Sequence, residues 1–233
     1  MKILVLGDIH GKIIWEDIID KENPDKTIFL GDYVCTHDNI SSEQQLSNLE
    51  DILNYKEKNS DKVILLRGNH DVQHLGYYWA RCSGFDQKVG YYMAESNFKE
   101  RFLKLTQWIH IDDDLKVIFS HAGISSVWIN NSNINSIYDI NKLEPSELFG
   151  FTPDSIFDYY GNSVTQPLTW IRPQSLCKCN ISGWDQVVGH TPVTKIVNIN
   201  KSTKEHRNIW LCDNLDQSQY LIINNNEFIP SKL

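Results

Sequence analysis

The sequence has no apolar segment at its start that is long enough for export, and it has no regular set of cysteines. Met1 and Lys2 precede only four apolar residues, Ile3–Leu6, which is too short for a signal-peptide core or a membrane span. Its 5 cysteines are an odd and scattered set, with one close pair at Cys177 and Cys179. They do not indicate a disulfide framework. We therefore expect a cytoplasmic protein with reduced thiols and no membrane association.

The chain also has fewer basic than acidic residues. The chain has 22 Lys and Arg against 30 Asp and Glu, so its formal net charge is −8. Proteins that bind nucleic acid or anionic membranes need clustered basic side chains to displace counterions, and no such stripe is present. We do not expect a nucleic-acid partner, and a nuclease is disfavoured. A phosphate-bearing ligand would need a locally positive site.

The chain does have the composition and pattern of an α/β domain. Its 233 residues are 41% hydrophobic and 22% charged, which is typical of one folded domain over 1–233. Short apolar runs alternate with stretches of helical periodicity. They predict strands at Lys2–Leu6, Thr27–Leu30 and Val63–Leu66, with helices over Ile13–Ile19 and Ser42–Tyr55. This β-α-β-α-β order favours a parallel sheet whose carboxyl edge carries the chemistry.

The second part of the chain is less regular. An aromatic-rich segment at about 72–95 indicates an insertion. Its rings either pack in the core of that insertion or form a surface on which a nucleotide base stacks. Residues 125–184 contain several prolines and predict a cap-like region of short helices and loops. A hairpin is predicted at 109–119. The last apolar runs predict a second, more antiparallel sheet, with strands at Val187-Val188, Thr194–Ile199, Ile209–Cys212 and Tyr220–Ile223.

Polar side chains follow five apolar runs, at the point where each run ends. The clusters are Asp8-Ile9-His10, Gly31-Asp32, Gly68-Asn69-His70-Asp71, His121 and Gly189-His190. Positions i and i+2 of extended backbone point to the same side, so Asp8 and His10 can face one metal. Carboxylate with imidazole suits Mn²⁺, Fe or Zn²⁺. The glycines before these residues would permit sharp turns. Together the clusters predict a dinuclear metal site.

These motifs resemble those of a known superfamily. They are Gly7-Asp8-Ile9-His10-Gly11, Gly31-Asp32-Tyr33-Val34, Leu66-Arg67-Gly68-Asn69-His70-Asp71, Ser120-His121-Ala122-Gly123 and Val188-Gly189-His190-Thr191-Pro192. The chain resembles the calcineurin-like metallophosphoesterases, and within them the phosphoprotein phosphatases and bacterial relatives such as the symmetrical diadenosine tetraphosphatases. The resemblance implies a four-layer α-β-β-α sandwich with two mixed sheets.

The resemblance also implies roles for particular residues. The implied ligands of two divalent ions are Asp8 and His10 on the first, Asp32 between them, and Asn69, His121 and His190 on the second. We expect manganese, with iron or zinc as alternatives. A water shared by the ions would attack phosphorus, and His70 would be the general acid that protonates the leaving group. Asn69 would also contact the substrate.

Charge arithmetic supports this ligand set. The carboxylates of Asp8 and Asp32 contribute a charge of −2, and two divalent ions contribute +4. The site therefore keeps a net charge of about +2. A unit charge pair 4 Å apart at an effective dielectric constant near 20 attracts by roughly 4 kcal/mol before desolvation. A phosphate dianion would therefore be held locally, despite the acidic protein.

The second motif departs from the pattern of the family. Related phosphatases continue with Asp-Arg-Gly, whose Asp orients the general-acid histidine and whose Arg grips phosphate, whereas this chain continues Cys35-Thr36-His37-Asp38. We hypothesise that Asp38 or Asp71 orients His70. Arg172 is the best remaining phosphate clamp and substrate-binding residue, against the alternative of a surface arginine beside a proline. We expect Arg67 to be structural.

The sequence therefore favours a phosphoric ester hydrolase that removes phosphate from a phosphorylated protein, in the manner of a Ser/Thr phosphatase, or from a small phosphoester. Hydrolysis of a dinucleoside polyphosphate is the alternative within the same chemistry. A scaffold that keeps the fold without catalysis is a further alternative, but it is disfavoured because all six ligands and His70 are present together.

Overall fold

The computed structural model describes residues 1–36, 38–151, 161–199 and 207–233, and its centre is a pair of five-stranded sheets. The strands are β1 (Lys2–Leu6), β2 (Lys26–Phe29), β3 (Val63–Leu65), β4 (Ile109–Asp112), β5 (Val117–Ser120), β6 (Asp185–Val188), β7 (Val197–Asn198), β8 (Ile209–Leu211), β9 (Gln219–Asn224) and β10 (Glu227–Lys232). The helices are α1 (Trp15–Glu22), α2 (Ser42–Lys58), α3 (Asn69–His74), α4 (Gln87–Met93), α5 (Ser96–Leu105), α6 (Ser126–Asn131) and α7 (Pro173–Leu176).

The first sheet has the order β10-β9-β1-β2-β3. Its β1, β2 and β3 strands are parallel, as the βαβ pattern predicted, while β9 runs antiparallel to β1 and pairs Ile3 with Ile223. The prediction that Tyr220–Ile223 belongs to the second sheet is therefore wrong. A short apolar run shows that a strand is buried, but it carries no information on which neighbour the strand pairs with.

The second sheet has the order β4-β5-β6-β8-β7. Its three central strands are parallel, and only the outer strands β4 and β7 pair antiparallel. The sheet is thus mixed, with two parallel and two antiparallel pairings, as in the first sheet. The expectation that the second sheet is the more antiparallel one is wrong. Parallel strands need long connections, and the segments between β5, β6 and β8 are long enough to provide them.

Alternate residues of β1 face opposite layers, which gives the molecule its four-layer α-β-β-α order. Ile3 and Val5 are buried between the sheets, in one cluster with Val117 and Phe119 of β5. Leu4 and Leu6 lie on the other face, in the cluster that includes buried residues of α1, α2 and α5. Each fully buried aliphatic side chain contributes about 1.5–3 kcal/mol, so this alternation fixes the sandwich.

Helix α2 shows why the first layer is helical. It begins after Ser41, whose hydroxyl accepts a hydrogen bond from the N–H of Gln44, while the Gln44 side chain bonds back to Ser41 in a capping box. Leu49, Ile52 and Leu53 are buried on one face, with the spacing of an amphipathic helix. The helix is thereby held against the first sheet.

The aromatic-rich segment at 72–95 belongs only partly to the core. None of its six aromatic rings (Tyr77, Tyr78, Trp79, Phe85, Tyr91 and Tyr92) is buried, and Tyr78 and Tyr91 are each 71% exposed. The buried residues of this segment include Val89 and Met93 of α4. The core interpretation therefore holds for Tyr77 and Trp79, which are half-buried and pack against the clusters of buried residues. It is wrong for Tyr78, Phe85, Tyr91 and Tyr92, which are exposed.

The region 125–184 forms short helices and loops, as predicted, where the structure describes it; residues 152–160 lie outside the described residues. Besides α6 and α7 it holds two 3₁₀ helices, Ile137–Lys142 and Glu147–Phe149. Trp128 and Phe149 pack with Trp108 and Ile118 against the outer face of the second sheet. Across the described residues, no helix combines the length and apolarity that a membrane crossing requires.

Candidate metal centre

The ends of strands from both sheets deliver the predicted ligands to one place. Asp8 follows β1, Asp32 follows β2, and His190 follows β6 of the other sheet. The carboxylate of Asp8 accepts a hydrogen bond from the backbone N–H of His190, 2.9 Å from Oδ1 and 3.1 Å from Oδ2. All three side chains are buried, at 2%, 1% and 7% exposure. The structure therefore brings these distant motifs together.

One group of donor atoms lies around His121. Its Nε2 is 2.9 Å from Asn69 Oδ1, 3.2 Å from His190 Nδ1 and 3.4 Å from Asp32 Oδ2. The Asn69 oxygen is also 2.9 Å from His190 Nδ1. These four atoms belong to the residues that the resemblance assigns to the second ion, Asn69, His121 and His190, and to the carboxylate shared by both ions, Asp32.

The partner of the other ring nitrogen shows that a cation fits here. His121 Nδ1 lies 2.9 Å from the carbonyl oxygen of Leu30, which can only accept, so Nδ1 carries the hydrogen. In the neutral ring, Nε2 then carries a lone pair without a hydrogen, and this lone pair faces the oxygens of Asn69 and Asp32. Lone pairs at this separation repel one another unless a proton or a metal ion lies between them. The donor set of imidazole nitrogen, amide oxygen and carboxylate suits a divalent metal.

A second group consists of Asp8, His10 and Asp32, whose donor atoms lie within 4.8 Å of one another. His10 Nδ1 is 3.1 Å from the carbonyl oxygen of Val34, which can only accept a hydrogen bond. The hydrogen of the neutral ring is therefore on Nδ1, and Nε2 carries the lone pair that can bind a metal. Asp32 belongs to this group and to the group with His121 and His190. The arrangement therefore fits two cations that share Asp32.

The local backbone reaches this geometry by a turn and not by strand pleating. Strand β1 ends at Leu6, and His10 has a φ of +47°, in the left-handed region. Asp32 and His190 have φ values of +51° and +61°. The expectation that Asp8 and His10 share a face through extended i and i+2 positions is therefore wrong. Such strained conformations persist only where the surroundings hold them, and they cluster at functional sites.

Charges in the centre favour a bound cation. Burial raises the pKa of Asp8 well above its ordinary value, and the charge of Asp213 raises it further. Burial works against the charged form of His121, but Asp32 and Asp8 together raise its pKa to about 10. Burial also works against ionisation of Asp32, yet the positive charge of His121 lowers its pKa. Without metal the cluster thus holds a proton, which a metal ion would displace.

The glycines beside the ligands serve two different needs. Gly31 has a φ of +107°, so its role is the sharp turn that the sequence predicted. A Cβ atom on Gly68 would lie 2.0 Å from Asp32 Oδ1, and one on Gly189 would lie 2.2 Å from Asp8 Oδ1. These two positions need glycine for space, because the carboxylates pack against the backbone.

His70 lies beside both ligand groups and belongs to neither of them. Its backbone N–H donates to Asp32 Oδ1 at 2.9 Å, and its ring is 5.6 Å from that of His10. Burial lowers the pKa of His70 to about 4, so the ring is neutral at neutral pH in the metal-free chain. Its Nδ1 lies 3.1 Å from the Gln73 side-chain nitrogen.

The structure supports neither carboxylate that we expected to orient His70. Asp38 is 60% exposed at its side chain, and its carboxylate lies 3.4 Å from Lys12 Nζ. The polar atoms that the described part of the chain places against the His70 ring come from Gln73 and Cys82. The loop that carries Asp38 turns its side chain towards solvent and Lys12.

Asp71 has a different function. Its two carboxylate oxygens accept hydrogen bonds from the backbone N–H groups of Asp32, Tyr33 and Gly68, each at 2.8 Å. The carboxylate thereby ties the loop after β2 to the loop after β3. Asp71 therefore holds the backbone at Asp32, and its carboxylate is engaged by these backbone N–H groups.

The two candidate arginines are placed differently. Arg172 Nη1 lies 3.1 Å from the carbonyl of His190 and 3.1 Å from Thr191 Oγ1, so its guanidinium is next to the second ligand group. This contact disfavours the reading of Arg172 as a surface residue. Arg67 donates to Thr106 and to the carbonyl of Leu103, with its guanidinium 4.8 Å from the Trp108 ring. Its structural role is as expected.

Sequence reasoning missed two residues near the centre. Asp213, to which no role was assigned, follows strand β8, and its Cα lies 3.0 Å from where a Cβ on Gly7 would be. Its position after an apolar strand is the same signal that identified Asp8, so this residue could have been found. Gln73 was not considered, because a single glutamine has no recognisable motif.

The fold and the centre together define a metal-dependent phosphoesterase. The chain belongs to the calcineurin-like phosphoesterases, whose family model matches residues 1–216. This family depends on a dinuclear metal centre and hydrolyses phosphoric esters, so the chain is a phosphoric ester hydrolase. The resemblance found in the sequence motifs is thereby confirmed.

Solved structures show the same fold. A cold-active protein-tyrosine phosphatase of the psychrophile Shewanella sp. aligns with a TM-score of 0.61 at 20% identity, over 98% of this chain and 77% of the other. A protein serine/threonine phosphatase from Saccharomyces cerevisiae, described as similar to human phosphatase PP5, aligns with a TM-score of 0.58 at 15% identity, over 99% and 79%. At these identities the likeness concerns the fold alone.

Proposed function

We propose that this protein is a phosphomonoesterase of the Ser/Thr protein phosphatase type, acting on a phosphorylated protein or a small phosphoester. The observation that carries the proposal is the pair of donor groups that share Asp32, with His70 beside both groups and in neither. A site that binds two cations and keeps one imidazole uncoordinated has the parts that phosphate ester hydrolysis requires.

Six residues would hold the metals. Asp8 and His10 would hold the first ion, Asn69, His121 and His190 the second, and Asp32 both. Two bound divalent ions supply a nucleophilic water at neutral pH and positive charge for the phosphoryl oxygens. We propose manganese, with iron or zinc as alternatives, because nitrogen and oxygen ligands without thiolate suit all three.

The remaining residues would handle the substrate. His70 is held by its backbone hydrogen bond to Asp32 Oδ1, so its ring stays next to the shared ligand. The N–H of the neutral ring can donate a hydrogen bond to the leaving oxygen, which takes its proton from water. The guanidinium of Arg172, beside the His190 carbonyl, would bind a phosphate oxygen. Asn69, whose oxygen faces His121 and His190, would also lie against the bound phosphate.

The proposal is tested with manganese-loaded protein on p-nitrophenyl phosphate, a phosphoserine peptide and diadenosine tetraphosphate. We expect turnover of the first two. His70→Asn should lower kcat by about 10²- to 10⁴-fold while metal analysis still finds two ions. His110→Gln, on strand β4, is the matched histidine control and should leave kcat unchanged. No turnover of any substrate by metal-loaded protein, or full activity of His70→Asn, would overturn the proposal.

One observation favours diadenosine tetraphosphate as an alternative substrate. Tyr77, Tyr78, Arg81 and Phe85 line a cavity of about 470 Å³ that also reaches Cys82, close to His70. Aromatic rings beside an arginine can stack a nucleotide base. Tyr78→Ala should then raise KM for diadenosine tetraphosphate and leave KM for p-nitrophenyl phosphate unchanged. Equal KM values in both proteins would remove this alternative.

A further inference from the structure

Gln73 makes a side-chain contact with the ring of His70. Both residues are on helix α3, three positions apart and therefore on the same face. Gln73 is 5% exposed, and its Nε2 lies 3.1 Å from His70 Nδ1. A buried amide at this distance makes a hydrogen bond, and its direction depends on which amide atom faces the ring.

Two further hydrogen bonds fix the orientation of the Gln73 amide. Its Nε2 lies 3.1 Å from the backbone carbonyl of Ser83, which can only accept. Its Oε1 lies 3.2 Å from the backbone N–H of Cys82, which can only donate. A flipped amide would lose both of these bonds. The amide nitrogen therefore faces His70 and donates its second hydrogen to Nδ1.

This hydrogen bond decides which ring nitrogen of His70 carries hydrogen. A neutral imidazole has one N–H, and because Nδ1 accepts from Gln73, the hydrogen is on Nε2. Two of the three predicted histidine ligands, His10 and His121, are fixed in the opposite way, since their Nδ1 atoms face backbone carbonyls. The chain thus gives His10 and His121 a free lone pair at Nε2, and His70 an N–H there.

We propose that Gln73 is the positioning residue of His70, in place of the carboxylate that the second motif lacks. Gln73 holds the ring and keeps its hydrogen on Nε2, where it forms a hydrogen bond to the leaving oxygen as the bond from phosphorus to that oxygen breaks. The leaving oxygen takes its proton from water, and the ring stays neutral. His70 touches the substrate, and Gln73 acts through it. This inference rests on the proposed function, because it needs a leaving oxygen at His70.

The first test reads the hydrogen position without any reaction. In protein labelled with ¹⁵N-histidine, long-range ¹H–¹⁵N spectra distinguish a protonated from an unprotonated ring nitrogen, and His70→Asn assigns the His70 signals by removing them. We expect Nδ1 of His70 to be unprotonated and Nε2 protonated at neutral pH. Gln73→Glu should move the hydrogen to Nδ1, because a carboxylate can only accept. A protonated Nδ1 in the neutral ring of the wild-type protein would overturn the proposal.

The second test uses the leaving group. Gln73→Leu should lower kcat on phenyl phosphate by about tenfold and on p-nitrophenyl phosphate much less, because p-nitrophenolate leaves without help. Gln186→Leu is the matched control. Gln186 is also a buried glutamine, whose amide donates to the Ile124 carbonyl and accepts from the Ile124 N–H, both at 2.8 Å. Its loss should lower Tm without changing the ratio of the two rates.

The outcomes separate this inference from the proposed function. If His70→Asn is inactive with two metals bound and Gln73→Leu changes neither the spectrum nor the leaving-group ratio, the function stands and the role of Gln73 is overturned. If the metal-loaded wild-type protein hydrolyses no phosphoester, the proposed function itself is overturned, whatever the spectrum shows.

Discussion

The carboxylate of Asp8 accepts a hydrogen bond from the backbone N–H of His190, 182 positions away in the chain. Asp8 follows a strand of the first sheet, and His190 follows a strand of the second. This contact therefore joins one residue of each donor group across the interface between the sheets. The distance between the two donor groups is set by how the sheets pack.

Gly189→Ala should weaken metal binding. The new Cβ would lie 2.2 Å from Asp8 Oδ1, which is too short for a contact between non-bonded carbon and oxygen atoms. The Asp8 carboxylate must therefore move. We expect at least a tenfold loss of manganese affinity, in line with the loss of support around a metal ligand. Isothermal titration calorimetry measures the manganese affinity, on variant protein whose circular dichroism spectrum matches that of the wild-type protein.

Gly183→Ala is the control for that substitution. A Cβ on Gly183 meets nothing within 4 Å, although its φ of +83° is strained for alanine. We expect a cost in stability of about 1 kcal/mol and an unchanged manganese affinity. Equal manganese affinities in Gly189→Ala and the wild-type protein would contradict the packing argument.

Removal of the shared ligand should differ from removal of a ligand to one ion. Asp32 belongs to both donor groups, whereas His121 belongs to one. We expect about two manganese ions per wild-type chain, fewer than one in Asp32→Asn and about one in His121→Ala, by inductively coupled plasma mass spectrometry after gel filtration. Identical metal content in the two variants would show that the groups are not separate sites.

Arg172→Lys should raise KM more than it lowers kcat. A guanidinium can bind two phosphate oxygens, whereas an ammonium binds as a point charge, and a loss of roughly 1–2 kcal/mol corresponds to about a 5- to 30-fold higher KM for p-nitrophenyl phosphate. Inhibition by inorganic phosphate should weaken in parallel. Arg101→Ala, an arginine on α5 whose partners are Glu50, Asn54 and Glu57, is the control and should leave KM unchanged. An unchanged KM in Arg172→Lys would exclude it as the clamp.

Stability should fall on mild acidification because of His110. Burial, and then the charge of Lys26, lowers the pKa of His110 to about 4 in the folded protein, against about 6.5 in an unfolded chain. Between these values the unfolded state binds a proton that the folded state does not, so the free energy of unfolding decreases as the pH falls from about 6.5 towards 4. The contribution is roughly 2 kcal/mol by pH 4.5.

Urea denaturation of metal-free protein at pH 7.5, 6.0 and 5.0 measures this effect. His110→Gln cannot titrate, so its free energy of unfolding should fall less steeply with pH than that of the wild-type protein. The comparison isolates His110 from the other histidines whose pKa values burial lowers, which are His70, His74 and His190. Parallel pH profiles of the two proteins would contradict the prediction.

Local patterns predicted most of the elements correctly, because helix caps and apolar periodicity act over a few residues. The capping box at Ser41 and the buried stripe of Leu49, Ile52 and Leu53 are visible in the sequence, and the structure has the helix there. The sheet that receives β9 was predicted wrongly. Strand pairing depends on contacts such as that of Ile3 with Ile223, and nothing in a short apolar run identifies its partner.

In the candidate site, too, the sequence determined some features and the tertiary structure determined others. The sequence by itself determined which residue types are available at the strand ends, because each ligand lies directly after an apolar run, beside a small or flexible residue. It did not determine how His70 is oriented: Asp38 and Asp71 were reasonable choices by charge, and the structure turns both carboxylates elsewhere. Only the tertiary structure places the Cys82 and Ser83 backbone so that the Gln73 amide has one orientation, because a hydrogen bond depends on distance and direction between atoms far apart in the chain.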